Sequence, residues 1–198
     1  MGILVLLEPL LPTITTIHTQ LLQVPDVRWL IGGSCGLLLQ HVEIGRSPRD
    51  LDIYVDDNDV NAVHTSLLDY SVDAPNYSET PIYASILSHY HIGGNAVEVV
   101  GDFRVNALHS FYQVEASYLW ENHSHSVTID EQEVKLMPLA HELLFNLLRN
   151  RPDRYEAIAK TIKAFPELHM QALSDLMQRN RWGSEFERKL ERLIDSNK

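Results

Sequence analysis

The spacing of apolar residues predicts an alternation of helices and strands up to about residue 137. Residues 13–23 carry apolar side chains at helical spacing, so they predict a first helix. Residues 27–31 form a short β-prone run that stops at two glycines, and residues 35–42 predict a second helix with Ser34 as its cap. A strand over residues 50–55 follows, and the acidic turn Asp56-Asp57-Asn58-Asp59 predicts the start of a third helix.

The middle of the chain changes to the alternating pattern of β-strands. Residues 82–92 and 96–100 predict two strands joined around Gly93-Gly94-Asn95, which is a strong hairpin signal. Two more β-like stretches follow at residues 111–115 and 126–136, and the second folds back at Asp130-Glu131. The residues just before the hairpin, rich in proline and serine, predict a polar connection.

The last part of the chain returns to helical spacing, in apolar stripes separated by Pro152, Pro166 and Gly183. We therefore expect an α+β fold. A mixed β-sheet flanked by helices would occupy residues 1–137, and a C-terminal helical region would occupy residues 138–198. No composition shift marks a flexible linker between these two parts.

Composition and charge narrow the class of protein. Of the 198 residues, 44% are hydrophobic and 22% are charged, which is close to the globular average and leaves room for one domain with a real core. A net charge of −11 would repel a nucleic-acid backbone, so we expect no extensive binding of nucleic acid. Small substrates, or cations that bridge to phosphates, fit this charge better.

The expected location is the cytoplasm. The single cysteine, Cys35, excludes an internal disulfide and fits a reducing compartment. The apolar stretch from Gly2 to Leu11 contains Glu8 and Pro9 and lacks a basic leading region, so it predicts neither a signal peptide nor a membrane span.

Three acids form the first candidate set for chemistry. Side chains two apart on a strand share a face, so Asp50 and Asp52 would present two carboxylates together. Two like charges so close call for a cation, and hard oxygen ligands of this kind suit Mg²⁺. Glu98 is the expected third ligand because valines flank it on both sides, and Asp102 is the alternative.

The glycine pair forms the second candidate set. Without side chains, Gly32 and Gly33 would let the backbone approach phosphate oxygens, and Ser34 would add a hydroxyl at the start of a helix. Arg46 and Arg49 precede the acids and could pair with triphosphate oxygens, although they could equally serve only to neutralise those acids. Each motif alone is common as a plain turn or a solvated strand face, so the expectation rests on their order together.

These motifs resemble the signature of the DNA polymerase β-like nucleotidyltransferase superfamily. The resemblance rests on Gly32-Gly33-Ser34, then Asp50-Leu51-Asp52, then Glu98, and it covers residues 29–101 well. Within the superfamily, the chain is most similar to small bacterial members, which include minimal nucleotidyltransferases, antibiotic adenylyltransferases and toxin-type enzymes. The resemblance implies a nucleotidyltransferase-like sheet, with Mg²⁺ held by the three acids and a triphosphate held by the glycine–serine turn.

The implied reaction is transfer of a nucleoside monophosphate, expected to be AMP, from an NTP to an acceptor hydroxyl with release of pyrophosphate. Glu98 would complete the metal site or act as general base. The acceptor, a small molecule or a macromolecule, is not identified by any motif, and neither are the preferred base and the oligomeric state.

Two alternatives remain open. One is a catalytically inactive binding or regulatory protein of the same fold, for example in a toxin–antitoxin pair. The other is a tRNA or RNA 3′-end nucleotidyltransferase, because residues 45–52 are similar to the CCA-adding and poly(A) polymerase branch. That branch, however, expects a Val-Arg-Asp run after the paired glycines, where this chain has Ser34-Cys35-Gly36. RNA is therefore the second choice of acceptor.

Overall fold

A mixed β-sheet lies at the centre of the computed structural model, which describes residues 7–195. Within them the sheet has eight strands and is flanked by eight α-helices. The strands are β1 (Leu30–Gly32), β2 (Asp50–Val55), β3 (Asn76–Glu79), β4 (Tyr83–Ile92), β5 (Asn95–Ala107), β6 (Ser110–Gln113), β7 (His125–Ile129) and β8 (Gln132–Leu136). The helices are α1 (Leu11–Leu21), α2 (Gly33–Leu39), α3 (Val60–Ser66), α4 (Ala116–Asn122), α5 (Leu139–Leu148), α6 (Pro152–Ala164), α7 (Pro166–Arg179) and α8 (Ser184–Ile194).

The strand order in the sheet is β3-β4-β5-β2-β1-β8-β7, and β6 pairs with β5 outside this path. The central strand β2 runs parallel to β5 and antiparallel to β1, while β1 runs parallel to β8. Helices cover the sheet, and four consecutive helices end the described chain. The predicted fold class, an α+β mixed sheet flanked by helices with a C-terminal helical region, is confirmed.

The two predicted hairpins are present. β4 and β5 pair from Ile92 and Asn95 outward, and the connecting Gly93 and Gly94 both have positive φ, as a type I′ hairpin turn requires. β5 continues to Ala107, past the predicted end of the strand. β7 and β8 fold back at residues 130–131 as predicted, again with positive φ at both positions.

Three local predictions are wrong. Helix α2 begins at Gly33 with Gly32 as its N-cap and no side-chain cap bond, so Ser34 lies inside the first turn and does not cap the helix. The polar connection contains strand β3, which the pattern missed because all four of its residues are exposed. Helix α4 was also missed. Its first two N–H groups, at Ala116 and Ser117, donate to the Asp56 carboxylate at 2.6 and 2.9 Å.

Two clusters of buried residues pack on the two faces of the sheet. One lies between the sheet and the C-terminal helices and joins Tyr54 and Val100 to Leu143. The other lies against α1 and α3 and contains Ile53 and Val99. Neighbouring residues of β2 thus point to opposite clusters, which is the period-two pattern of a strand buried on both faces. The proposed division of the chain after residue 137 stays a prediction.

The apolar stretch from Gly2 to Leu11 lies partly outside the described residues, since residues 1–6 are not among them. Leu7 and Leu10 are buried in the second cluster. Across residues 7–195, no helix combines the length and apolar character needed to cross a membrane.

Candidate active site

The sheet aligns one residue from each of four strands in a single row. Gly32 on β1 is the register partner of Asp52 on β2, Asp52 is the partner of Glu98 on β5, and Glu98 is the partner of His89 on β4. Partners in register share a face of the sheet, so Asp52 and Glu98 point to the same side. Asp50 lies two residues before Asp52 and faces that side as well.

This face opens into a cleft of about 410 Å³. Five predicted site residues line it together, namely Gly33, Ser34, Asp50, Asp52 and Glu98. Hydroxyl and aromatic side chains from β3, β4 and β5 form one wall, and the start of the C-terminal helical region forms the other. A larger and more apolar cavity of about 600 Å³ lies beside α6 and contains none of the predicted site residues.

The carboxylates in the cleft repel one another. Burial, followed by the charges of Asp50, Glu98 and Glu142, raises the pKa of Asp52 to about 7, against a smaller opposing effect of Arg149. Burial and Asp50 also raise the pKa of Glu98 above its ordinary value, while His89 opposes the shift. Both carboxylates are therefore harder to ionise than exposed ones, and a cation bound between them would oppose this shift.

The glycine turn packs directly on Asp52. Gly33 has φ +59°, a conformation that favours glycine, and a Cβ there would overlap the Asp52 carboxylate. A Cβ on Gly32 would lie 2.6 Å from Cε2 of Tyr54, so this position also lacks room for a side chain. The Gly33 N–H donates to Oε1 of Glu142 at 2.7 Å. This particular N–H is thus already hydrogen-bonded, and the predicted role of the turn in holding phosphates stays a prediction.

Three arginines from the end of α5 and the start of α6 line the opposite side of the cleft: Arg149, Arg151 and Arg154. Nη2 of Arg154 donates to Ser34 Oγ at 2.9 Å, and the Arg154 side chain is only 11% exposed. Arg151 donates two hydrogen bonds to the Asp153 carboxylate, at 2.9 and 2.8 Å. The guanidinium of Arg149 lies 4.5 Å from the ring centre of Phe145. The arginines are therefore positioned by partners before any ligand binds.

The arginines predicted from sequence lie elsewhere. Neither Arg46 nor Arg49 is among the residues that line the cleft. The Arg46 side chain is 48% exposed and forms an ion pair with Asp153 at 3.4 Å, and Arg49 is exposed. Their role as triphosphate ligands stays a prediction. Asp102, the alternative third acid, also lies outside the lining and forms an ion pair with Arg104 at 2.9 Å.

Sequence reasoning missed the residues that the C-terminal helices contribute. Glu142 is a single acid within a helix whose residues are all buried, and that contrast could have marked it. Arg149, Arg151 and Arg154 are three arginines within six positions of a chain with a net charge of −11, which is a second usable signal. Neither signal indicates which part of the sheet these residues would face.

The carboxylates of the cleft are the kind of ligand that a hard divalent cation prefers. Three carboxylates on one face offer oxygen ligands, and their mutual repulsion would be relieved by a positive ion. In the part of the chain that the structure describes, no group of three or more His, Cys, Asp and Glu side chains is arranged as a formed metal site. Asp50, Asp52 and Glu98 are the residues that could hold such an ion.

Comparison with solved structures identifies the fold. TM1012 from Thermotoga maritima, named as a candidate nucleotidyltransferase, matches with a TM-score of 0.60 and 20% identity, over 78% of this chain and 91% of that chain. The antibiotic-resistance factor ANT(2″)-Ia matches with a TM-score of 0.48 and 12% identity, over 87% and 92% of the two chains. An antigenic nucleotidyltransferase-like protein from Paracoccidioides brasiliensis matches with a TM-score of 0.45 and 15% identity, over 94% and 92%.

No protein-family model matches the sequence, and no curated protein matches it either. The similarity to TM1012 shows that this chain has the nucleotidyltransferase fold. The fold that the sequence motifs implied is thereby confirmed.

Proposed function

We propose that the protein is a metal-dependent nucleotidyltransferase that moves AMP from ATP to an acceptor hydroxyl and releases pyrophosphate. One observation carries this proposal: a single cleft of the nucleotidyltransferase fold brings a carboxylate face and an arginine face together. The carboxylate face consists of Asp50, Asp52 and Glu98, and the arginine face consists of Arg149, Arg151 and Arg154. A triphosphate with a bound divalent cation presents both of the charges that such a cleft would bind.

The arginine face would bind the triphosphate. Guanidinium groups donate paired hydrogen bonds that match phosphate oxygens, and these bonds are stronger than those between neutral groups. Arg154 is the best placed because it is mostly buried and already donates to Ser34 at the glycine turn. Arg151 is held by Asp153, so its guanidinium is oriented before a phosphate arrives.

The carboxylate face would hold Mg²⁺ through Asp50, Asp52 and Glu98. When bound, the ion would neutralise charge on the phosphates and lower the pKa of the attacking hydroxyl. Asp52 must be ionised to act as a ligand, and its raised pKa means that a proton competes for the same oxygen near neutral pH. Cation binding by the protein should therefore be weaker at lower pH.

The acceptor would bind on the side of Glu98. If Glu98 does not hold the ion, its carboxylate, which is 35% exposed and has a raised pKa, suits a group that accepts the proton of an attacking hydroxyl. The neighbouring wall carries the neutral hydroxyls of Ser78, Thr80 and Ser85. The size of the cleft fits a small-molecule acceptor, since such sites measure about 300–1,000 Å³. The proposed location is the cytoplasm, where Cys35 would stay a free thiol.

Labelled nucleotide tests the proposal. Purified protein is incubated with Mg²⁺, ATP labelled at the α-phosphorus and a panel of hydroxyl-bearing acceptors, and both labelled product and pyrophosphate are measured. Wild type should label at least one acceptor, and Asp52→Asn should lower the rate more than about a hundredfold, as expected when a preorganised charged group is lost. Asp57→Asn changes an exposed acid outside the cleft and should keep the wild-type rate. Equal rates in wild type and Asp52→Asn would refute the assignment.

A second candidate function is nucleotide binding without turnover. It is favoured by the hydrogen bond between Gly33 and Glu142, which occupies an N–H of the turn expected to hold phosphate. Calorimetry separates the two functions. Mg²⁺-dependent binding of ATP without pyrophosphate release from any acceptor would favour the binding protein.

A further inference from the structure

We propose that Glu142 is a positioning residue that holds the glycine turn against Asp52, so that a helix of the C-terminal region sets the geometry of the carboxylate face. The inference rests on the proposed function for its catalytic consequence, but the contact itself can be tested without activity. Glu142 is 1% exposed, and its Oε1 accepts the Gly33 N–H at 2.7 Å across 109 residues of sequence. Asn146, one turn later on α5, donates to Oε2 at 3.3 Å.

The contact reaches Asp52 because Gly33 leaves no free space beside it. A single Cβ on Gly33 would overlap Oδ2 of Asp52, so the backbone of the turn and this carboxylate are in direct contact. Gly32 is confined in the same way by Tyr54 and by Oε1 of Glu142. A shift of the Gly33 peptide toward β2 would therefore displace the Asp52 carboxylate, and a shift away from β2 would leave it without this support.

An acid at position 142 is costly to bury, so a specific contact must favour it there. Burial raises the pKa of Glu142 to about 7, while its bond from Gly33 and the charges of Arg154 and Arg149 oppose the shift. Every residue of α5 is buried, and a leucine at position 142 would pack there without this electrostatic cost. The carboxylate accepts the Gly33 N–H at 2.7 Å, its shortest hydrogen bond, and leucine cannot supply that acceptor. Glu142 would then act through Gly33 rather than by contact with the substrate.

Two substitutions separate the hydrogen bond from the packing. Glu142→Gln keeps an oxygen that can accept the Gly33 N–H, whereas Glu142→Leu keeps the volume and removes the acceptor. Hydrogen exchange at the Gly33 amide, followed by NMR, reads the contact directly. We expect exchange at least about tenfold faster in Glu142→Leu, because the bond is lost, and near the wild-type rate in Glu142→Gln. The amide of Val99 in the centre of the sheet is the control and should stay protected in all three proteins.

The catalytic consequence is measured on the same proteins. In Glu142→Leu we expect kcat to fall about tenfold or more with a smaller change in the KM for ATP, because a misplaced catalytic group costs rate. Glu142→Gln should restore most of kcat. A merely structural role would lower the melting temperature of Glu142→Leu but leave kcat per folded molecule unchanged, and that result would overturn the proposal.

Each of the other possible results also supports or contradicts the proposed role of Glu142. Unchanged exchange at Gly33 in Glu142→Leu, or a kcat in Glu142→Gln as low as in Glu142→Leu, would overturn the mechanism. If Glu142→Leu does not fold, Asn146→Leu takes its place. It removes the hydrogen bond that Asn146 donates to Oε2 of Glu142, and it should speed exchange at the Gly33 amide by less than the roughly tenfold change expected for Glu142→Leu. If wild type transfers no nucleotide to any acceptor, the proposed function fails while the exchange measurement still tests the contact.

Discussion

Asp52 on β2 and Glu98 on β5 are register partners on two parallel strands, and both carboxylates face the same cleft. Asp50 adds a third acid on this side, and Glu142 adds a fourth from α5. A stable core would not assemble four acids in this way, since each one raises the cost of ionising the next. The arrangement therefore costs the fold stability when these acids ionise, and this has a measurable consequence.

The contribution of Asp52 to the stability of the protein without metal should fall as the pH rises from about 4 to about 7. The folded-state pKa of Asp52 is raised to about 7, so the folded chain binds more protons than the unfolded chain across this window. The free energy of unfolding then decreases with pH, by up to about 1.4 kcal/mol per pH unit for one fully protonated group. Urea denaturation in EDTA at several pH values measures this slope.

The informative quantity is the difference between wild type and Asp52→Asn. Buried His141 has its pKa lowered to about 3, so it adds an opposite trend, in which stability is lost as the pH falls below about 6.5. The His141 contribution is common to both proteins and cancels in the difference. Burial is the largest cause of the raised pKa of Asp52, and the charges of Glu98 and Glu142 add to it, so the difference reports the titration of Asp52 coupled to these two acids. Asp52→Asn should equal wild type near pH 4 and exceed it in stability at pH 8, whereas Asp57→Asn should match wild type throughout. Parallel curves for wild type and Asp52→Asn would show that Asp52 titrates normally.

Gly33→Ala should abolish nucleotide transfer and destabilise the fold. An alanine there is strained by the positive φ, and its Cβ also overlaps the Asp52 carboxylate. Gly45→Ala is the matched control, because Gly45 has φ +68° and nothing within 4 Å of the added Cβ. Both variants should lose about 1 kcal/mol from the strained backbone, and only Gly33→Ala should lose more. Denaturant unfolding and the transfer assay measure the two effects, and similar losses in both variants would contradict the overlap.

Much of the fold could be predicted because its central strands carry local signals. Val97 and Val99 alternate with Glu98, and the glycine pair after Ile92 marks a hairpin, so β5 and its partner were visible in the sequence. Strand β3 carried no such signal because its side chains are all exposed and its pairing with β4 holds it in place. The first N–H group of helix α4 is accepted by Asp56, which lies 60 residues before it in sequence, so no local pattern marks this cap.

The residues of the candidate site also fall into those that the sequence predicts and those that it does not. The acids and the glycine turn are close in sequence or lie on predicted strands, so spacing alone suggested that they share a face. Glu142 and Arg154 reach the turn across 109 and 120 residues, through the docking of α5 and α6 on the sheet. No periodicity encodes that docking. Arg46 and Arg49 lie close to the acids in sequence, but this nearness does not bring them into the cleft lining.

Asp56→Ala should destabilise the protein by about 1–2 kcal/mol, which is the usual cost of losing a helix cap. The Asp56 carboxylate accepts the N–H groups of Ala116 and Ser117 at 2.6 and 2.9 Å, and these groups begin α4. Asp57→Ala removes the neighbouring exposed acid and should change stability little. Equilibrium unfolding in urea compares the two variants. Equal stabilities would mean that water replaces the cap at no cost.

Arg154→Ala should weaken the binding of Mg²⁺-ATP by about tenfold or more, since charge-assisted hydrogen bonds contribute about 1.5–3 kcal/mol. Arg154→Lys should recover part of this loss, because an ammonium keeps the charge but lacks the paired donors of a guanidinium. Arg188→Ala removes an exposed arginine of α8 that does not line the cleft, and it should bind like wild type. Calorimetric titration with Mg²⁺-ATP measures wild type, these three variants and Arg46→Ala. If Arg154→Ala keeps wild-type affinity while Arg46→Ala loses it, the triphosphate lies on the Arg46 side of Asp153, and the arginines predicted from the sequence are the ones that bind it.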